Sequence, residues 1–301
     1  MATTRILTTS QGTNRAAFTT LDWGLFLGLA LIWGASFLFM AIGLDAFHPG
    51  LVTWLRVGFG ALTIALFPQA RKTRVDREDL TRLRLLGLIW VAIPFTLFPI
   101  AQQWIDSAVA GMLNGATPVF TALLATILLR ALPGRLQNIG LIIGFTGIVA
   151  IALPSVGTGT TAAIGVALIL IATVCYAIAL NMIAPVAQKY GSLPVMKHVL
   201  GAATLLVTPF GIYGLTQSSF TWPALMATLA VGVLGTGIAF YMMGALVGSV
   251  GATRSAFLTY LIPVVALSLG VIFRDEVVAP LAMAGVILVI GGAFLASRRE
   301  A

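Results

Sequence analysis

The chain has 301 residues, of which 59% are hydrophobic and 9% charged, with a formal net charge of +8, and its mean hydropathy is +1.04. Soluble domains are charged at roughly a quarter of their positions, so this composition excludes a soluble globular protein and points to an integral membrane protein. The positive balance does not call for nucleic acid, because the basic residues stand in short polar breaks between apolar runs, where membrane topology puts them.

The first 20 residues are polar and carry no hydrophobic signal core, so a cytoplasmic tail is expected ahead of an uncleaved first span. Ten apolar runs follow, each near the length that crosses a hydrocarbon core of about 30 Å as a helix. They are Trp23 to Leu44, Gly50 to Phe67, Leu83 to Ala101, Val109 to Leu129, Asn138 to Leu153, Ala163 to Ala184, Pro194 to Thr216, Trp222 to Leu246, Thr253 to Phe273 and Val278 to Ala296. Their apolarity is continuous rather than alternating, which excludes a barrel. A polar break, Pro68 to Arg82, is expected as the longest internal loop. With the N-terminus inside, every basic residue except Arg56 and Arg274 falls on the cytoplasmic side, so both termini are expected there. Cys175, the single cysteine, lies in an apolar run, which excludes an intrachain disulfide or a thiol metal cluster. Neither a metal site nor a cofactor is expected.

The fourth run contains GMLNGATPVFTALLA, Gly111 to Ala125, with Asn114, Thr117, Pro118 and Thr121 in its middle. Three of these are polar and three or four residues apart, so they share one helix face, which in a membrane should meet other helices or a wet cavity. The ninth run holds a twin, Ala256 to Gly270, in which Thr259 and Pro263 follow Asn114 and Pro118 by a constant offset. The same offset pairs Gly87 with Gly232, Phe95 with Phe240, Gly140 with Gly285 and Gly147 with Gly292. Earlier the register drifts by about two, with Trp33 and Gly34 opposite Tyr176 and Ala177. The expected organisation is therefore all-α, with ten transmembrane helices as two inverted five-helix repeats around a central cavity. The first repeat covers 21–153 and the second 163–297, joined by a periplasmic linker at 154–162, with a short tail at 298–301.

LIWGASF at Leu31 to Phe37, NGATPVFTALLA, YLIPVVALSLGVIFRDE and the closing GVILVIGGAFLASRR resemble the ten-helix, EamA-type branch of the drug/metabolite transporter superfamily. The resemblance runs from Leu21 to Arg299. It implies a basket of helices in a bacterial inner membrane, the fourth and ninth spans lining the path and the fifth and tenth peripheral. It also implies kinship with exporters of amino acids, aromatic ones included. The acidic residue that follows the last helix turn of the YLIPVVALSLGVIFRDE motif is present as Glu276, while the first half has Arg130 and Ala131 at the matching place, which departs from a symmetric pair.

The nine carboxylates all fall in tails, loops or helix ends on these spans, so a proton-exchanging acid at mid-membrane is not expected. What suits a cavity is aromatic and neutral polar: Trp33, Ser36 and Phe37, Trp90, Phe95 and Phe98, Asn114 and Thr117, Tyr176, Phe240 and Tyr241, Thr259 and Tyr260. Such walls bind amphipathic solutes by stacking and a few hydrogen bonds. Pro118 and Pro263 are candidate hinges or packing kinks. Arg56 inside the second span can snorkel, cap a helix or meet a substrate carboxylate. Gly24 with Gly28, and Gly140 with Gly144, are small-residue pairs fit for close packing, within the chain or between protomers. No intramembrane His–acid set or nucleophile–base pair argues for an enzyme. The expectation is a facilitator or exchanger of a small-molecule substrate, embedded in lipid, as monomer or homodimer. Carriage of phosphorylated metabolites or drugs, or ion-coupled export, is the alternative.

Overall fold

A computed structural model describes residues 18–129, 134–250, 255 and 257–296. The expected tail up to residue 17, Arg130 and Ala131, the Thr253–Arg254 start of the ninth run and the C-terminal tail lie outside those residues. Among the described residues, eight helical stretches are long and apolar enough to cross a membrane, and two shorter apolar stretches, Leu258–Arg274 and Pro280–Ala296, close the chain.

In order these are α1 (Thr20–Leu44), α2 (Pro49–Leu66), the short α3 (Gln69–Lys72), α4 (Arg77–Leu86) and α5 (Ile93–Ala101). Then come α6 (Ser107–Asn114), α7 (Thr117–Leu129), α8 (Arg135–Val156), α9 (Thr160–Tyr190), α10 (Ser192–Thr216), α11 (Trp222–Gly232) and α12 (Ala239–Val250). A 3₁₀ turn at Phe257–Tyr260 precedes α13 (Ile262–Arg274) and α14 (Pro280–Ala296). α4 and α5 are one continuous span through a π-helical turn at Gly87–Ala92, as are α11 and α12 through Val233–Ile238.

Several boundaries differ from the sequence expectation. The supposed loop at 68–82 is largely helical, because Glu78 and Asp79 fill the first turn of α4, where carboxylates favour helix initiation. The linker expected at 154–162 shrinks to a turn after Val156, since Pro154 sits in the last turn of α8 without ending it. The fourth run is broken rather than continuous, stopping at Asn114 and restarting at Thr117.

Loop contacts sort to two ends. At one, Arg274 pairs with Asp45 at 2.6 Å, Ser219 donates its amide to the Ala46 carbonyl, and Glu276 meets Ser107. At the other, Ser249 donates to Asp22, and Tyr190 and Lys189 hold Asp79, with Lys189 also on Asp76.

α8 and α14 approach through glycine. A methyl added to Gly147 would lie 2.7 Å from the Gly285 carbonyl oxygen and 2.6 Å from the Val289 nitrogen, and Gly140 abuts Gly292 and Ala296 in the same way. The small-residue pair at Gly140 and Gly144 is thus spent inside the chain. Gly24, by contrast, has nothing near it. α1 packs on α13 and α9 on α7, while α2 meets the second π turn and α10 the first.

Candidate functional site

The broken fourth span starts from a hydrogen-bond deficit. Proline 118 has no N–H to give the carbonyl of Asn114, four residues back. The Thr117 hydroxyl fills that place, donating to the Asn114 carbonyl at 2.8 Å, and Thr121 donates to the Thr117 carbonyl at 2.7 Å. Two of the three polar side chains on this face are therefore satisfied within their own segment. Asn114 differs: its Oδ1 is buried and has no hydrogen-bond partner. A buried amide oxygen left without a donor costs about 1–3 kcal/mol.

Pro118 and Pro263 each stand second in the helix that restarts, α7 and α13. The two breaks face one another, since a methyl on Gly115 would lie 2.7 Å from the Pro263 ring, and Gly111 abuts Ala266 and the Phe37 ring.

Around this crossing the aromatic candidates assemble into two groups. Phe37 and Phe98 meet edge to face at 5.5 Å, Phe98 stacks on Tyr176 at 5.9 Å, and Tyr176 meets Phe95 at 6.5 Å. Trp33 and Trp90 both lie against Phe240, at 6.2 and 5.5 Å. Trp33 also donates its Nε1 to the Gly235 carbonyl at 3.1 Å. Gly235 belongs to the second π turn, and such a turn shifts carbonyls out of the regular ladder to where side chains can reach them. Ser36, buried beside Gly235, spends its hydroxyl on the Ile32 carbonyl.

Not every candidate joins. Tyr241 stacks flat on Phe67, centroids 4.6 Å apart, and is exposed, so it lies away from both groups. Thr259 and Tyr260 stand half-buried in the 3₁₀ turn, with Tyr260 against the core that holds Phe37 and Phe98.

Three residues outside the aromatic and neutral polar set matter here, Arg56 among them already weighed as a partner for a substrate carboxylate. Arg56 is 6% exposed, its guanidinium 3.7 Å over the Phe95 ring. Its Nη1 donates to the Met40 sulfur at 3.1 Å, and its Nε to Thr236 Oγ1 at 3.4 Å. Gln102 donates to the Phe37 carbonyl, while its Oε1 is buried without a partner. It was hidden in a polar QQW stretch that reads as a loop. Glu276 accepts from the Ser107 amide at 3.0 Å, the Ser107 hydroxyl at 2.6 Å and the Ala108 amide at 2.8 Å. It thereby caps α6, whose own N-cap residue Asp106 makes no side-chain cap bond. Left-handed φ of 51° at Asp275 turns the chain to bring Glu276 there.

The pattern of the EamA-like transporter family matches this chain twice, over residues 23–153 and again over 163–298. The chain belongs to the EamA-like transporter family. The EamA-like chain is 25% identical over 272 residues to the uncharacterized transporter YdfC of Bacillus subtilis, spanning 89% of this chain and 87% of that one. It is 28% identical over 281 residues to a probable terminal-alkyne amino-acid exporter of Streptantibioticus cattleyicolor, covering 92% and 93%. The uncharacterized inner membrane transporter YedA of Escherichia coli is 26% identical over 253 residues, 82% of this chain and 81% of that protein. Among solved structures, a crystal structure described only as that of a protein superposes with a TM-score of 0.61 at 18% identity, over 93% of this chain and 97% of that one. This EamA-like protein is a membrane transporter.

Proposed function

We propose that this chain exports small amphipathic metabolites, amino acids foremost, across a bacterial inner membrane with both termini cytoplasmic. Ten crossings form two inverted five-helix halves, which alternate access to a central cavity between them as a facilitator or exchanger. Support for the inverted halves comes from reciprocity: Gly140 touches Gly292 and Gly147 touches Gly285, and each pair turns into the other when the halves are exchanged. Gly87 and Gly232 behave alike, one against the Val199 carbonyl and the other against that of Arg56. The twofold family match points the same way, and the Streptantibioticus relative is named as a probable amino-acid exporter.

The observation that carries the cargo reading is the run of contacting rings from Phe37 through Phe98 and Tyr176 to Phe95, drawn from both halves, together with an Asn114 oxygen that lacks a donor on the helix whose Gly111 abuts the Phe37 ring. A ligand with an N–H and an apolar body satisfies both. Asp22 is the one buried carboxylate among the described residues, and it sits in the first turn of α1, held by Thr19 and Ser249. This supports transport without a mid-membrane proton carrier.

The test is flux of labelled amino acids, aromatic ones included, into liposomes bearing the purified protein and no ion gradient. Saturable downhill flux that falls in Asn114→Ala and Trp33→Ala is the expected result. Flux that appears only with a proton or sodium gradient refutes the facilitator, and no amino-acid flux under either condition refutes the cargo.

A further inference from the structure

A guanidinium enclosed in apolar protein needs a compensating negative charge, because desolvating an unpaired ion costs several kcal/mol. Arg56 has none. Its contacts are a thioether, an aromatic face and one hydroxyl at 3.4 Å that already donates to the Val231 carbonyl, with the Tyr176 side chain close by. Every ion pair among the described residues lies at a helix end: Asp45 with Arg274, and Asp76 and Asp79 with Lys189. The two hydrogen bonds engage two of five N–H donors, and the Phe95 face attracts the cation without neutralising it.

We infer that Arg56 is the anion-recognition point of the transport path, engaging the carboxylate of the cargo through its guanidinium fork. The inference rests on the proposed small-metabolite transport and deepens it by naming the charged group that the cargo must carry. The fork matches a carboxylate bidentately. From the charge, Phe95 leads to Tyr176, Phe98 and Phe37, each ring within 6.5 Å of the next, so an apolar body continues from the anionic end. Phe95, Phe98 and Gln102 lie on one face of the third span, and Gln102 is two turns, about 10 Å, beyond Phe95. Its unpaired Oε1 offers an acceptor at the far end of the shelf.

A carboxylate fits better than a phosphate. Arg56 is the one basic side chain in the buried set among the described residues, and a dianion taken from water needs more than a single cation.

The test uses tryptophan fluorescence and thermal shift on the purified full chain in detergent, with L-phenylalanine, phenylacetate, phenethylamine, 2-phenylethanol and glucose 6-phosphate as probes. The two carboxylates are expected to bind at least about 30-fold tighter than the amine and the alcohol, the scale of losing one member of a buried charge pair. Arg56→Gln should erase that preference while leaving 2-phenylethanol binding in place, and Arg56→Lys should restore part of it. Equal binding of phenylacetate and 2-phenylethanol by the wild type overturns the inference. So does a carboxylate preference that survives Arg56→Gln, a stronger response to glucose 6-phosphate, or no saturable carboxylate binding. Where the Arg56 variants do not elute as folded protein, Phe95→Leu serves instead; it should weaken phenylacetate binding more than 2-phenylethanol binding, and equal weakening overturns the inference. Arg56-dependent phenylacetate binding without amino-acid flux discards amino acids as cargo and keeps the anion site, whereas flux without carboxylate preference does the reverse.

Discussion

Replacing Glu276 by alanine tests whether one side chain from the second matched segment holds the start of α6 in the first. Three hydrogen bonds converge on its carboxylate, two from backbone amides that no residue of α6 itself can serve. Loss of a helix cap costs about 0.5–2 kcal/mol, and a hydrogen bond to a charged group is worth about 1.5–3 kcal/mol. The bonds are not additive and Glu276 is half-buried, so a total of about 2–3 kcal/mol is expected, near the worth of one strong charged bond. That opens the first turn of α6 roughly 30- to 150-fold more often. The assay is amide hydrogen exchange of the 107–114 peptide in micelles, with the peptide from α8 as an internal control. Gly270→Ala provides a second route, because a methyl there would collide with the Glu276 carboxylate while leaving the residue in place. Both variants should speed exchange in α6 and leave α8 unchanged; unaltered exchange in both would refute the assignment of Glu276 as the cap.

Gly140→Val and Gly292→Val push a side chain into the opposing backbone, which cannot rotate away, and each should destabilise by more than about 4 kcal/mol and abolish a monodisperse elution peak; Gly24→Ala and Gly201→Ala, which meet open space, should elute as wild type. At the Asp106 end, desolvation first and Glu276 second raise the Asp106 carboxyl above its usual range. A raised carboxyl weighs against the fold while ionised and is relieved as pH falls through its folded pKa, so Asp106→Asn should raise the melting temperature at pH 7 and not at pH 4. At the opposite end, hydrogen bonding to Lys189, then Tyr190, holds the Asp76 carboxyl low, and Lys189 is raised by Asp76. That contact is present above the unfolded aspartate pKa of about 3.9 and lost as pH falls further. Proteolysis of the 68–77 connection should quicken in strong acid for wild type and already at pH 7 for Lys189→Gln.

Much of the architecture was legible because a membrane demands long apolar runs and polar breaks. What escaped were features decided by hydrogen-bond accounting across segments. Pro118 marked a disturbance, but only the Thr117 hydroxyl returning to Asn114 shows that the helix stops and restarts. The π turns carry no composition of their own; at the second, the Thr236 hydroxyl donates to the Val231 carbonyl and Trp33 takes up the Gly235 carbonyl. Asn114, Phe98 and Tyr176 were found as polar or aromatic groups in apolar runs, whereas Tyr241 shares that signature and faces outward. Periodicity cannot separate two aromatic residues that differ only in which neighbour the helix turns them toward. Arg56 was visible as a charge in a span, and only its surroundings show it to be without an acid.

The glycine seam between α8 and α14 joins backbone to backbone, so each copy supplies the space that the other fills. A side chain gained by either glycine of a pair must displace the main chain of its counterpart, not merely its own neighbours. The two segments are therefore not free to drift apart in sequence at these positions as they are elsewhere. The positions where the two family-matched segments meet backbone to backbone, Gly140, Gly147, Gly285 and Gly292, are thus also positions related by the constant sequence offset.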